Sequence, residues 1–303
     1  MSEESKAIVL MERLDLRRPR LIAAFTGWAD AGEVASGSLR YLTAKLGARR
    51  IGHIEQDEFY EYTTARPLIL IEQGAIQLHR YQASELFCWR DPAGEHDLLI
   101  LLAGEPQLRW GLYVRTLIRF LADIGAEMVV SLGGLYDAVP HTVEPRISGL
   151  ATSAELRERL RSLQVALTEY QGPGSIHTAL LMACQQGGIP SVSLWGHNPI
   201  YVRTVANPKV CHALLSRVCP LLGLPLNLAE LKAAGEYLDE TLNRMLAQHE
   251  GLRQWVQRLQ EQSEGTASSS EPPAEGIGDT ERIIREVEEF LRREQRGEGG
   301  EGK

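Results

Sequence analysis

The chain has 303 residues, of which 44% are hydrophobic and 24% charged, enough for a full-sized globular core. Its formal charge of −8 is uneven: Glu261–Lys303 carries 12 acidic and 6 basic residues, net −6, and the remainder, with 28 acidic and 26 basic, stands at −2. A body with no basic excess excludes an extended nucleic-acid surface, and no apolar run reaches the ~20 residues needed to span a bilayer. Met1–Lys6 is polar with no apolar stretch behind it, so no secretory signal and a cytoplasmic location are expected.

In chain order, Arg20–Phe25 reads as a buried strand. Asp30 is placed to cap a helix over Ala31–Leu46, and Gly47 to end it. Short strands are expected at Leu68–Glu72 and Ala75–His79. Asp97–Leu102 and Glu127–Leu132 are continuous apolar runs, the pattern of central parallel strands covered on both faces. A helix over Leu108–Ile124 separates them. Ser148–Thr152 is a short strand, followed by a helix capped by Ser153. A helix over Ser175–Gln186, a strand over Pro190–Trp195 and a helix from Pro208 to Leu222 follow, with proline favoured at a first helical turn. The alternation predicts an α/β fold: a three-layer α/β/α body with a mostly parallel central sheet.

Beyond Leu224 the pattern is all helical. Leu238, Leu242, Met245, His249, Leu252, Val256 and Leu259 recur at alternating spacings of four and three, a heptad seam of coiled-coil type. An imidazole inside such a seam must be paired or exposed. The expected organisation is therefore a core domain over 1–227, a helical extension over 228–262, a flexible linker over 263–279, and an amphipathic helix with a disordered tail over 280–303. Ile283, Ile284, Val287, Phe290 and Leu291 lie on one side of that last helix, which is expected to fold back on the seam.

Three glycine-bearing turns are expected at strand ends: Gly27-Trp28-Ala29-Asp30-Ala31-Gly32, Ala103-Gly104-Glu105-Pro106 and Leu132-Gly133-Gly134. In open α/β sheets such ends are where ligands and partners meet the protein. Gly27 and Gly32 have the glycine spacing of a phosphate loop, but Glu33 occupies the lysine position and would repel phosphate. There is no G-x-S-x-G elbow, no dinucleotide fingerprint and no metal-ligand spacing among the eight histidines. No cofactor or metal is expected. Cys88, Cys184, Cys211 and Cys219 form no C-x-x-C pair and read as free buried thiols. If the body is an enzyme, Glu105, Arg109, His141 and His197 are its candidate groups, with Glu105 and Arg109 pairing on a first helical turn, and Asp137 and Glu144 as further acids.

The segments Ala24–Gly32, Asp57–Tyr62 with Arg66-Pro67, Gly104-Glu105-Pro106 with Arg109-Trp110, Gly133-Gly134, Pro140-His141-Thr142, Tyr170–Gly174, Ser193-Leu194-Trp195 and Asn207-Pro208-Lys209 together resemble the proteasome assembly chaperone family in its bacterial and archaeal branch. The resemblance covers about Leu21 to Leu231. It implies a phosphorylase/hydrolase-like architecture, a homo-oligomer without enzymatic activity, and proteasome subunits as partners. Gly27, Trp28, Asp30, Gly32, Glu105, Arg109, Trp110, Gly133, Gly134, His141 and Trp195 are the binding or family-marking residues it points to. The end of the chain, Gly300-Glu301-Gly302-Lys303, lacks the hydrophobic–Tyr–X tail some relatives use, so docking by that tail is not expected. The alternative is a hydrolase-like enzyme or small-molecule-binding protein with a cleft at the strand ends.

Overall fold

A computed structural model describes residues 7–80, 84–203, 206–265 and 277–295. The strands are β1 (Ile8–Leu10), β2 (Arg20–Thr26), β3 (Arg49–Ile54), β4 (Leu68–Glu72), β5 (Ala75–Arg80), β6 (Ser84–Trp89), β7 (Leu98–Gly104), β8 (Met128–Asp137), β9 (Ile147–Ala151), β10 (Ala166–Leu167) and β11 (Ser191–Pro199). The helices are α1 (Val34–Leu46), α2 (Trp110–Asp123), α3 (Ala154–Ser162), α4 (Ile176–Gln186), α5 (Pro208–Leu222), α6 (Ala229–Gln248), α7 (Glu250–Gly265) and α8 (Ile277–Gln295). One nine-stranded sheet runs in the order β1-β3-β6-β7-β2-β8-β11-β9-β10, and β4-β5 form a separate ribbon.

The expected α/β class holds, and the predicted buried runs form the centre of the sheet. β2 lies parallel to both β7 and β8, with Leu21 opposite Leu99 and Val129. The side of the sheet beyond β7 is antiparallel, through β6, β3 and β1. β1, β3, β6 and β10 were not legible in sequence. β1 and β10 have three and two residues, too short for a period to register.

By internal contacts the chain forms two compact units. The first comprises Met1–Ala29, Leu39–Gly133 and Gly149–Leu194. Alternate strand residues Leu21, Ala23, Phe25, Leu99, Leu101 and Val129 pack with Tyr113, Leu117, Leu121, Ile176 and Leu180 of α2 and α4 in one apolar cluster. Ile22, Ala24, Ile100 and Val130, which leave the opposite face, are also fully buried. Phe25 and Phe59 each meet Tyr113 edge-on, with ring centroids 6.1 and 5.1 Å apart. The β4–β5 ribbon is different: Leu68, Leu70, Ile71 and Ile76 are all exposed.

The second unit comprises Asp30–Ser38, Gly134–Ser148 and Trp195–Lys303. Its helices bury Leu238, Leu242, Met245, Leu252, Val256 and Leu259 with Ile284, Val287 and Leu291 of α8, around Tyr201 and Val202. The expected fold-back of the last helix is therefore present. The heptad residues share one core, but not one continuous helix: α6 stops at Gln248 and His249 is extended, at φ −127° and ψ 92°. His249 is exposed, which resolves the conflict of an imidazole inside an apolar seam. The middle of the expected linker and the expected disordered tail lie outside the described residues.

Candidate functional site

The three expected turns fare differently. Gly27, with φ 122°, and Gly32, with φ 60°, bound a genuine turn, because their backbones adopt the left-handed region glycine tolerates. A 3-10 turn over Ala31–Glu33 precedes α1. Asp30 caps that helix one turn later than the sequence suggested: its Oδ1 accepts hydrogen bonds from Ala35 N (2.9 Å) and Ser36 N (3.1 Å). Burial raises the Asp30 carboxyl, and these bonds offset it only in part. Gly133-Gly134 is not a turn. β8 runs through it to Asp137, and Gly134 bridges Asp30 in parallel. A Cβ on Gly134 would stand 2.5 Å from Val34 Cγ2 and 2.8 Å from Ala31 O, so the glycine serves close approach rather than chain reversal. Gly104 ends β7, and the reversal starts at Glu105-Pro106.

Glu105 and Arg109 do not pair as expected. Glu105 Oε1 accepts from Ile176 N at 3.1 Å, placing a carboxylate at the N-terminus of α4. Arg109, left-handed at φ 53°, precedes α2 and meets Glu58 at 3.2 Å. The Trp110 indole N–H donates to Pro106 O. Trp28 is 67% exposed, and Trp195 is half-buried inside β11.

His141 and His197 do come together, lining one cleft in the second unit with Pro140, Glu144, Arg146 and Lys209. Sequence placed His197 after a strand end; β11 instead carries it inside the strand, hydrogen-bonded from its backbone N to Arg146 O. The His197 ring is held at both nitrogens. Nδ1 lies 2.7 Å from Asp137 Oδ2, and Nε2 lies 2.8 Å from Ser148 Oγ. With a carboxylate at Nδ1, the neutral ring donates there and accepts from the serine hydroxyl at Nε2. Burial would raise the Asp137 carboxyl, but the hydrogen bonds from His197 and the Ala138 backbone outweigh it and hold the group below the usual aspartate value.

His141 is anchored separately. Its backbone N–H donates to Tyr201 Oη at 2.7 Å, which leaves the phenol proton for Nδ1, also 2.7 Å away. Nε2 then donates to Asn243 Oδ1 at 3.3 Å. Burial, opposed by Asp239 and Asn243, lowers the imidazole below the usual histidine value. Lys209 Nζ lies 2.6 Å from Asp239 Oδ2 and donates to His141 O, so the loop carrying His141 is tied to α5 and α6 at one point. Gly235 permits the helix approach: a Cβ there would lie 2.9 Å from Lys209 Cα.

The enclosed room of the cleft is about 40 Å³, against roughly 300–1,000 Å³ for ordinary small-molecule pockets. Among the described residues no group of three or more His, Cys, Asp or Glu side chains is placed to hold a metal, and all four cysteines are free and buried. No helix of the described residues is long and apolar enough to cross a membrane. Sequence reasoning named Asp137 but missed Ser148, Tyr201, Lys209 and Asp239, whose partners lie 30–68 residues away, as with Lys209 to Asp239 and to His141.

The described residues thus present an α/β body with a glycine-shaped strand–helix turn and one narrow cleft lined by two histidines. Comparison identifies it further: the PAC2 family matches residues 24–246, and the chain belongs to that family. It is similar to a Mycobacterium tuberculosis proteasome-assembly chaperone homologue, at 32% identity and a TM-score of 0.72, over 78% of this chain and 99% of that one. A PAC2 family protein from Streptomyces avermitilis is 30% identical, with a TM-score of 0.68, over 75% and 95%. PbaB of Pyrococcus furiosus, an archaeal proteasome activator, shares the fold at 21% identity and a TM-score of 0.62, over 78% and 97%. Comparison with curated proteins finds no match.

Proposed function

We propose that this protein is an interaction module of the proteasome-assembly-chaperone type, acting in the cytoplasm as a homo-oligomer with proteasome subunits as partners. The observation that carries this reading is the family match over residues 24–246, together with 32% identity to a proteasome-assembly chaperone homologue along nearly all of that protein. Two surface features support it. Trp28 is exposed in the Gly27–Gly32 turn, and the β4–β5 ribbon presents Leu68, Leu70, Ile71 and Ile76 to solvent. Contiguous exposed apolar groups of this kind are characteristic of protein contacts. The division into a body over 1–227 and a helical extension over 228–262 belongs to the same proposal. The narrow cleft argues against a drug-sized substrate.

Affinity capture of the tagged full chain from its native cell, with mass spectrometry of the eluate, tests this. Proteasome subunits recovered with wild type and reduced with Trp28→Ala are expected. Their absence, in a host that has a proteasome, overturns the reading.

A further inference from the structure

We propose that Ser148, His197 and Asp137 form a nucleophilic acyl-transfer site for esters of small carboxylic acids. The argument rests on geometry. A serine that attacks an acyl carbon needs a base on its hydroxyl and a carboxylate on the far side of that base. Here the Ser148 hydroxyl lies 2.8 Å from His197 Nε2, and the Asp137 carboxylate lies 2.7 Å from His197 Nδ1. The polarity of the relay, carboxylate on Nδ1 and hydroxyl on Nε2, is the one acyl transfer requires. The chain order Asp, Ser, His hides it, since the groups stand 11 and 49 residues apart and no nucleophile-elbow motif accompanies them.

Position relative to the cleft supports the same reading. His197 and Arg146 both line it. Ser148 is reached from the cleft through His197, whose Nε2 lies 2.8 Å from its hydroxyl. Ser148 itself is 6% exposed, so the acyl group must enter beside the His197 ring that lines the cleft. Enclosed room of about 40 Å³ limits the bound portion to a short acyl chain, with the alcohol portion outside. Arg146 is the cation in the cleft available to a developing oxyanion. Asp137, held low by His197, stays a carboxylate and keeps the ring in the accepting tautomer.

In the first step Ser148 Oγ bonds the acyl carbon as its proton passes to His197 Nε2. The ester C–O bond breaks, and that proton goes to the departing alkoxide. Water then attacks the acyl carbon, giving a proton to Nε2. The acyl–serine bond breaks, the proton returns to Ser148, and the carboxylic acid leaves.

The test uses the full chain with a small fluorophosphonate probe, the modified residue mapped by mass spectrometry, and with p-nitrophenyl acetate hydrolysis. The expected result is labelling at Ser148 and measurable ester turnover. Ser148→Ala should lose both. Asp137→Asn, which keeps the shape of the side chain, should lower turnover at least 100-fold with an altered pH profile. Thermal melting of each variant separates loss of chemistry from loss of fold. If Ser148→Ala does not fold, Ser148→Cys should retain labelling by a thiol-directed probe at that position. Wild type that is neither labelled nor active, labelling at another residue, or activity unchanged in Asp137→Asn overturns the proposal. Capture of proteasome subunits by Ser148→Ala stays as in wild type, so this site and the interaction role fail independently.

Discussion

The two units bury polar groups in different ways. In the first, the interior is a continuous apolar cluster, and its polar atoms close on one another at short range: Tyr60 Oη lies 2.6 Å from Gly104 O and 2.9 Å from Ser84 Oγ. In the second, an apolar helical cluster stands beside a chain of satisfied polar contacts running through His141, Tyr201, Lys209 and Asp239. Apolar burial is nondirectional and sets stability, whereas polar networks demand geometry and so specify position. The contrast teaches that the first unit holds the fold and the second holds the groups whose placement matters for recognition or chemistry.

That contrast can be broken by substitution. The largest loss should come from the first unit: Phe59→Ala removes a fully buried ring and is expected to cost about 3–5 kcal/mol in chemical denaturation. A loss below ~1 kcal/mol would show that this cluster does not carry the stability.

Acid should act next. His177 is fully buried against Phe25, and burial pushes its imidazole down to about 3, against an ordinary ~6.5 in the unfolded chain. Its folded value is the lower one, so the unfolded state binds the extra proton. Stability is therefore whole above about pH 6.5 and declines toward pH 3, with a slope approaching ~1.4 kcal/mol per pH unit. Denaturation midpoints measured from pH 7.5 to 4.5 check this, and His177→Phe should flatten the curve. His141 is displaced in the same direction, so a residual slope in that variant reports the second unit.

Gly134→Ala sharpens the account of the strand–helix turn. Its Cβ would press on Val34 and Ala31, at an expected cost of about 1–3 kcal/mol by melting. A neutral result would return Gly133-Gly134 to the status of an ordinary strand segment. Smallest should be Arg109→Ala. The Arg109–Glu58 pair is more than half exposed on both sides, so its loss should stay below ~1 kcal/mol and vanish in high salt.

Periodicity made the central strands and most helices readable. Apolar runs such as Leu98–Leu102 admit few alternatives, and Ser153 and Pro208 mark helix starts by local chemistry that acts within one turn. Ser153 Oγ accepts from Leu156 N as a cap should. The apolar residues of the heptad pattern do share one core, but His249 is exposed and the helix breaks there, so spacing found the buried side chains without finding the break. Family membership was also legible, since it rests on ordered short segments of the chain.

Tertiary structure alone decided the rest. Whether Gly133-Gly134 turns or runs straight depends on the approach of Val34 and Ala31, about a hundred residues earlier. Glu105 leaves its neighbour Arg109 for the free N–H groups at the start of α4, 71 residues on. His249 breaks the helix that its spacing favours, because an extended backbone lets its imidazole face water. Most decisive is His197, whose partners Asp137 and Ser148 share no local spacing with it and meet it where β8, β9 and β11 bring them together. Local propensity acts over a few residues, whereas the two partners that hold the His197 ring come from strands far apart in sequence, and only the folded sheet supplies both at once.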